Sequence, residues 1–195
     1  MLRKSLEKKE KDKKVFLDTS VILSYVFEDD EHHKEVKSFL KHYAQIYYVS
    51  PMAVFEVYCV VPRRYGGVRL PRMLHALLNQ FKTEEEKIAC ISTLVLFYLK
   101  GSLSKVIFCS DEQFGWKLKD HMVDDSKIKL FEPYYLAIQS GHKLKQKAAD
   151  MLHLAYASKV AQGAMVHFVT CDEELLERAE AINQEINVEV IKPRL

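Results

Sequence analysis

From residue 14 onward, short apolar runs alternate with longer amphipathic segments. Residues 14–18, KVFLD, predict a first strand that ends on an acid. Thr19 and Ser20 are placed to cap a helix running to about Phe27. A helix is expected over 31–44. A second strand is expected over 46–49, IYYV, which is rich in β-branched and aromatic residues. Ser50-Pro51 pairs an N-cap with proline at the first helical position, and opens the helix MAVFEVYCVV. Val61-Pro62 and Gly66-Gly67 should interrupt it, leaving 63–72 as loop or bent helix before a helix from Leu70 to Phe81. Thr83 and Glu86 form a capping box for a helix to Lys100, which Gly101 should stop.

The second half repeats the pattern. Residues 105–109 (KVIFC) predict a strand, 111–122 a helix and 127–131 (KIKLF) a strand. A helix follows Pro133, and a strongly apolar helix spans 147–162 up to Gly163. A strand at 165–169, a capped helix from Thr170 to Ala181 and a strand at 186–191 close the chain. Strands that alternate with helices imply an α/β domain around a mostly parallel sheet. Residues 1–13 read as a charged N-terminal tail, and 14–195 as a single domain.

Composition removes several classes. With 195 residues and 48% hydrophobic positions the chain can bury a sizeable core. A formal net charge of +2 sets up no strong global field, so charge placement matters more than the total. The four cysteines, at 59, 90, 109 and 171, form no CxxC pair and read as small buried hydrophobes. The N-terminus lacks the apolar core of a signal peptide, and no apolar run reaches the ~20 residues of a membrane span. A cytoplasmic protein with no membrane partner is expected.

The strongest chemical signal is a set of acids inside apolar segments. Asp18 closes VFLD and precedes TSVIL. Glu56 is the sole charge between Pro51 and Val61, and Asp150 the sole charge in AADMLHLAYA. An isolated buried carboxylate costs several kcal/mol unless something compensates it. No basic residue in these runs can do so, whereas a hard divalent cation takes several oxygen ligands at once. Asp172 follows the strand MVHFV at a helix start. In open parallel sheets such positions border the crevice outside the carboxyl ends of the strands. Asp18 and Asp172 each also fit an ordinary helix-start acid.

VFLDTSVIL, SPMAVFEVYCV, AADMLHLAYA and HFVTCDEEL, in that order, resemble the motifs of PIN-domain nucleases, with VapC-type toxins as the nearest likeness. The resemblance implies a three-layer α/β/α fold with a central, mostly parallel twisted sheet. It implies a ribonuclease dependent on Mg²⁺ or Mn²⁺, with catalytic and metal-binding acids at Asp18, Glu56, Asp150 and Asp172. It also implies Thr170 as a hydroxyl that orients the site, with Ser20 in support at the substrate. His153 shares a helix face with Asp150, and is read as a packing histidine. Ninety-four positions separate Glu56 from Asp150 (150 − 56), long for a compact toxin, so an insertion is expected near 101–131.

One or two ions would activate water, neutralise the phosphate and stabilise the leaving oxygen, two ions standing ~4 Å apart. Arg63, Arg64, Arg69 and Arg72, clustered with Tyr65, and Lys143, Lys145 and Lys147 are candidate contacts to RNA, single-stranded or in loops. Each cluster also fits a solvated face. An antitoxin or other protein partner and a homodimer are further implications of the resemblance. The competing reading is an inactive PIN-fold module that binds RNA or a partner. A phosphotransferase of the haloacid dehalogenase type wants a second Asp where Ser20 stands.

Overall fold

A computed structural model describes residues 14–44, 46–110, 112, 117–162 and 165–194. The expected tail over 1–13 and the helix stop at Gly163 lie outside these residues. The strands of the main sheet are β1 (Lys14–Leu17), β2 (Tyr47–Val49), β3 (Val106–Phe108), β6 (Val166–Val169) and β7 (Val188–Ile191). They pair in the order β3-β2-β1-β6-β7, every pair parallel. Helices α1 (Thr19–Val26), α2 (His33–His42), α3 (Pro51–Arg64), α4 (Arg72–Leu78) and α5 (Glu84–Ser102) lie between β1 and β3 in the chain. Helices α6 (Glu132–Leu144) and α7 (Ala148–Ala161) precede β6, and α8 (Glu173–Glu177) and α9 (Ala179–Ile186) precede β7.

Strand alternation divides the core in two. Val15, Leu17 and Val169 point into a cluster with Val21, Ile22, Val57 and Val95, from α1, α3 and α5. Phe16, Val166 and Phe168 point the other way, into a cluster with Leu154, Ala157 and Ile182 from α7 and α9. The Phe16 and Phe168 rings stack with centroids 5.9 Å apart across the β1–β6 pair. These strands are apolar on both faces because helices cover both, and the fold is the expected three-layer α/β/α sandwich.

The chain steps outward from β1 to β2 and β3, then crosses to β6 on the other side of β1. Sheet order therefore reverses between β1 and β6. Loops leaving the carboxyl ends of those two strands diverge and open a crevice there.

Three expectations change. Helix α3 runs through Pro62 to Arg64 rather than breaking at Val61. Val57 and Val61 are fully buried, and that packing outweighs the one backbone hydrogen bond proline removes near the helix end. The capped helix expected over 170–181 is two short helices, parted at Arg178. Residues 118–122, expected as helix, form β4 (Leu118–Val123), which pairs antiparallel with β5 (Ser126–Phe131). Asp124 takes the left-handed φ of 53° in the turn between them, a conformation Asp tolerates well. Five residues of the expected helix, 111 and 113–116, lie outside the described set. Of the cysteines, expected to be buried, Cys109 is, whereas Cys59 is exposed and Cys90 and Cys171 are half-buried.

The hairpin stands outside the main sheet. Leu118, Met122, Val123, Ile128 and Phe131 are all exposed, and the hairpin rests on α6, where His121 meets Tyr135. Its two ends are already joined, since Glu132 N–H donates to the Lys117 carbonyl at 3.0 Å. Replacing 118–131 by two glycines should therefore leave the sheet intact. The expected fall in Tm is at most about 4 °C, what about 1 kcal/mol produces in a domain of this size. Loss of the cooperative transition in circular dichroism would show the hairpin to be integral.

Candidate active site

β1 ends at Leu17, and Asp18 follows as the N-cap of α1, its Oδ1 accepting from Thr19 N–H at 2.8 Å. The Asp18 N–H donates to the Val169 carbonyl at 3.0 Å, which fixes the residue to the end of β6. Oδ2 accepts from the Ser20 hydroxyl at 2.6 Å and from the Thr170 hydroxyl at 2.7 Å. A carboxylate oxygen has two acceptor positions, so Oδ2 is filled and Oδ1 keeps one. Both hydroxyls accept in turn from backbone: Ser20 from Cys171 N–H and Thr170 from Asp172 N–H, each at 3.0 Å. Thr170 thus orients Asp18 and the Asp172 backbone together. Asp172 caps α8 by accepting from Glu174 N–H at 2.8 Å.

Glu56 reaches the same place from the second turn of α3. Its Oε2 accepts from the Thr19 hydroxyl and lies 3.0 Å from His153 Nε2. Ser50, where β2 ends, caps α3 by accepting from Ala53 N–H at 2.8 Å and lies 2.9 Å from His153 Nδ1. Burial works to raise the Glu56 carboxyl, but the hydrogen bonds from His153 and Thr19 outweigh it and hold the group below its ordinary value. Burial likewise opposes charge on His153. Its bond to Glu56 and the fields of Asp18, Glu56 and Asp150 prevail, and raise the ring above its usual value.

Asp150 differs from the rest. It sits in the first turn of α7, and its Oδ2 is buried without a hydrogen-bond partner among the described residues. Burial first, then the charges of Asp18 and Asp172, push its carboxyl up to about 6. The Lys147 ammonium pulls the other way, although it is also paired with Glu174 at 2.7 Å. Asp150, with its orphaned oxygen and the charges of Asp18 and Asp172 acting on it, forms with them a donor set of hard oxygens suited to a divalent cation. Among the described residues no three His, Cys, Asp or Glu side chains stand close enough to hold an ion as they lie.

The other candidates are distributed more widely. Arg63 and Arg64 lie in the last turn of α3, Arg69 follows it and Arg72 opens α4, and all four are exposed. The Arg64 guanidinium lies 4.8 Å over the Phe27 ring, and the Arg63 Nε–H donates to the Cys59 carbonyl at 2.6 Å. Arg69 N–H donates to Asp29 at 2.9 Å. Eight residues of helix separate Arg64 from Glu56, ~12 Å along the axis. Lys143 pairs with Glu185 on α9 at 2.7 Å, and Lys145 is the left-handed residue that ends α6. Of the lysines, Lys147 alone is coupled to Asp150 and Asp172. Thr19 and Ser50 were not singled out from sequence beyond their capping roles. The signal was present, since each follows a strand end and opens a helix.

Acids and hydroxyls thus gather at the reversal point of a wholly parallel sheet in an α/β protein. A family model described as PIN domain matches residues 15–105, so this stretch is similar to PIN domains, which are generally nucleases. The matched stretch carries Asp18 and Glu56; Asp150 and Asp172 follow it. No curated protein matches the chain.

Asp150 generates a prediction in the metal-free protein. Its carboxyl holds a proton more tightly folded than unfolded, so ionisation costs stability as pH rises from about 4, and the cost is complete above about 6. Asp150→Asn should stabilise the protein at pH 7.5 by about 1–2 kcal/mol. The full displacement is worth about 3, and solvent screening of a half-buried group takes back part. At pH 4 the gain should vanish. Urea denaturation with chelator at both pH values measures this, and an equal effect at each would rule out charge repulsion as its source.

Proposed function

We propose that the protein is a Mg²⁺- or Mn²⁺-dependent endoribonuclease of the cytoplasm. Asp18, Glu56, Asp150 and Asp172 would hold the ion. The observation that carries this reading is Asp150, an ionisable group with a buried, unpartnered oxygen set against two further acids. A cation removes both penalties at once, whereas the bases that face Asp150, Lys147 and His153, offset them only in part. When bound, the ion supplies an activated water and neutralises the phosphate. The chain's own part is to set the donors. Ser20 and Thr170 orient Asp18, Thr19 and His153 orient Glu56, and α8 carries Asp172 at its cap. The exposed arginines at and after the end of α3 would contact phosphates flanking the scissile one, with Lys147 nearer the acids. A VapC-type toxin role, with an antitoxin partner and a homodimer, is the finest form of this proposal and rests on the motif resemblance.

Labelled single-stranded RNA should be cut with Mn²⁺ or Mg²⁺ and left whole with chelator. Asp18→Asn and Asp150→Asn should lose at least about 100-fold in kcat, since each removes a ligand rather than an outer support. Equal cleavage by all preparations would point to contamination. A wild-type protein that neither cuts several RNAs nor binds metal would refute the reading.

The arginines give a different signature. Arg63→Ala with Arg72→Ala should raise KM for RNA several-fold and flatten its salt dependence while leaving kcat within about twofold. An unchanged KM would place RNA elsewhere.

A further inference from the structure

We propose that His153 is a positioning residue. Its Nε2–H, on a ring that the Ser50 hydroxyl holds from the opposite side, fixes the Glu56 carboxylate beside Asp18 for cation binding. This rests on the metal-site reading above.

The sequence alone favours a packing histidine, and the ring does lie in the core, 1% exposed and 6.4 Å from the Phe168 ring centroid. Packing needs only shape, whereas here both ring nitrogens are engaged. Nδ1 is 2.9 Å from Ser50 Oγ, and Nε2 is 3.0 Å from Glu56 Oε2. Proton accounting sets the directions. The ionised Glu56 carboxylate can only accept, so Nε2 carries the hydrogen. On the neutral ring Nδ1 then accepts from the Ser50 hydroxyl, whose oxygen also accepts from Ala53 N–H. A doubly protonated ring would present the same Nε2–H, so the bond to Glu56 does not depend on the charge of the ring.

The geometry is selective. Nε2 stands 4.0 Å from Asp18 Oδ1, beyond hydrogen-bond reach, so the ring fixes one acid and leaves the open position on the other unclaimed. The connection also crosses elements. Ser50 begins α3 and Glu56 lies six residues later on the same helix, while His153 comes from α7, one turn after Asp150. One ring therefore ties the helix bearing Glu56 to the helix bearing Asp150 at two points. Glu56 has three side-chain torsions to settle, and Thr19 and His153 settle them from two sides.

Amide replacements separate the two halves of the ring. His153→Gln places an N–H near the position of Nε2 and keeps the donor to Glu56. His153→Asn places its amide near Nδ1 and loses that donor. Mn²⁺ binding to the full chain is measured by calorimetry, alongside urea stability and the KM and kcat for RNA. The Gln variant should bind Mn²⁺ within about threefold of wild type. The Asn variant should bind about 10- to 100-fold more weakly, with KM for RNA at saturating Mn²⁺ unchanged. Should the Asn variant fail to fold, Ser50→Gly removes the hydroxyl while keeping a tolerable cap, and should weaken Mn²⁺ binding several-fold. Equal losses in the Gln and Asn variants would overturn the proposal. So would normal binding in the Asn variant, or in Ser50→Gly, while Glu56→Gln binds weakly; the ribonuclease reading would then stand. A wild-type chain that binds no Mn²⁺ would instead overturn the metal site itself, and this role with it.

Discussion

Two hydroxyls donating into one carboxylate oxygen hold this crevice together. Ser20 and Thr170 both serve Asp18 Oδ2, and their own oxygens are tied to the backbone at Cys171 and Asp172. Those bonds stitch the end of β1 to the end of β6, the two strands between which sheet order reverses. Without a fixed Asp18 the crevice would still exist, because topology makes it. It would not have a defined floor. Hydrogen bonds to a charged acceptor are about twice as strong as neutral ones, so a short network can hold a charge that the surrounding apolar layers disfavour.

That network does not reach Asp150, and the contrast is informative. Asp18 and Glu56 are each served by donors, whereas Asp150 is half-buried and opposed by its neighbours. If every acid were internally satisfied, the pocket would have little left to offer a ligand. A site that binds a cation must leave some negative potential uncompensated, and stability bears the cost. Asp150 is where this fold concentrates it, in the first turn of a helix whose macrodipole relieves part of the strain.

Much of this was legible in the sequence, for identifiable reasons. The five main strands are mostly apolar because helices cover both faces, and that burial shows as short runs rich in Val, Ile, Phe, Leu and Tyr. Glu56 and Asp150 stood out because each is a lone charge in an apolar helix, a pattern burial alone does not favour. The hairpin was misread for the opposite reason. Its strands are exposed, so LKDHMV carries lysine, aspartate and histidine in place of a clean alternation, and the Asp124-Asp125 turn lacks the usual glycine. Pro62 was read as a break because local propensity cannot see Val61 buried beneath it. His153 looked like packing because its partners, Ser50 and Glu56, are about a hundred residues away in sequence.

That separation describes how the site is made. Asp18, Ser50 and Glu56 come from the first third of the chain, and Asp150, His153, Thr170 and Asp172 from the last third. The middle supplies α4, α5, β3 and the hairpin, and none of the candidate acids. Strand β6 must insert beside β1 before Thr170 can reach Asp18, and α7 must pack on the sheet before His153 can reach Glu56. The crevice is therefore a consequence of the completed β1–β6 pairing. Its acids are brought into mutual repulsion only once the apolar layers have formed to hold them. Placing the charges where segments distant in sequence meet lets hydrophobic burial bear a repulsion that no local segment could sustain alone.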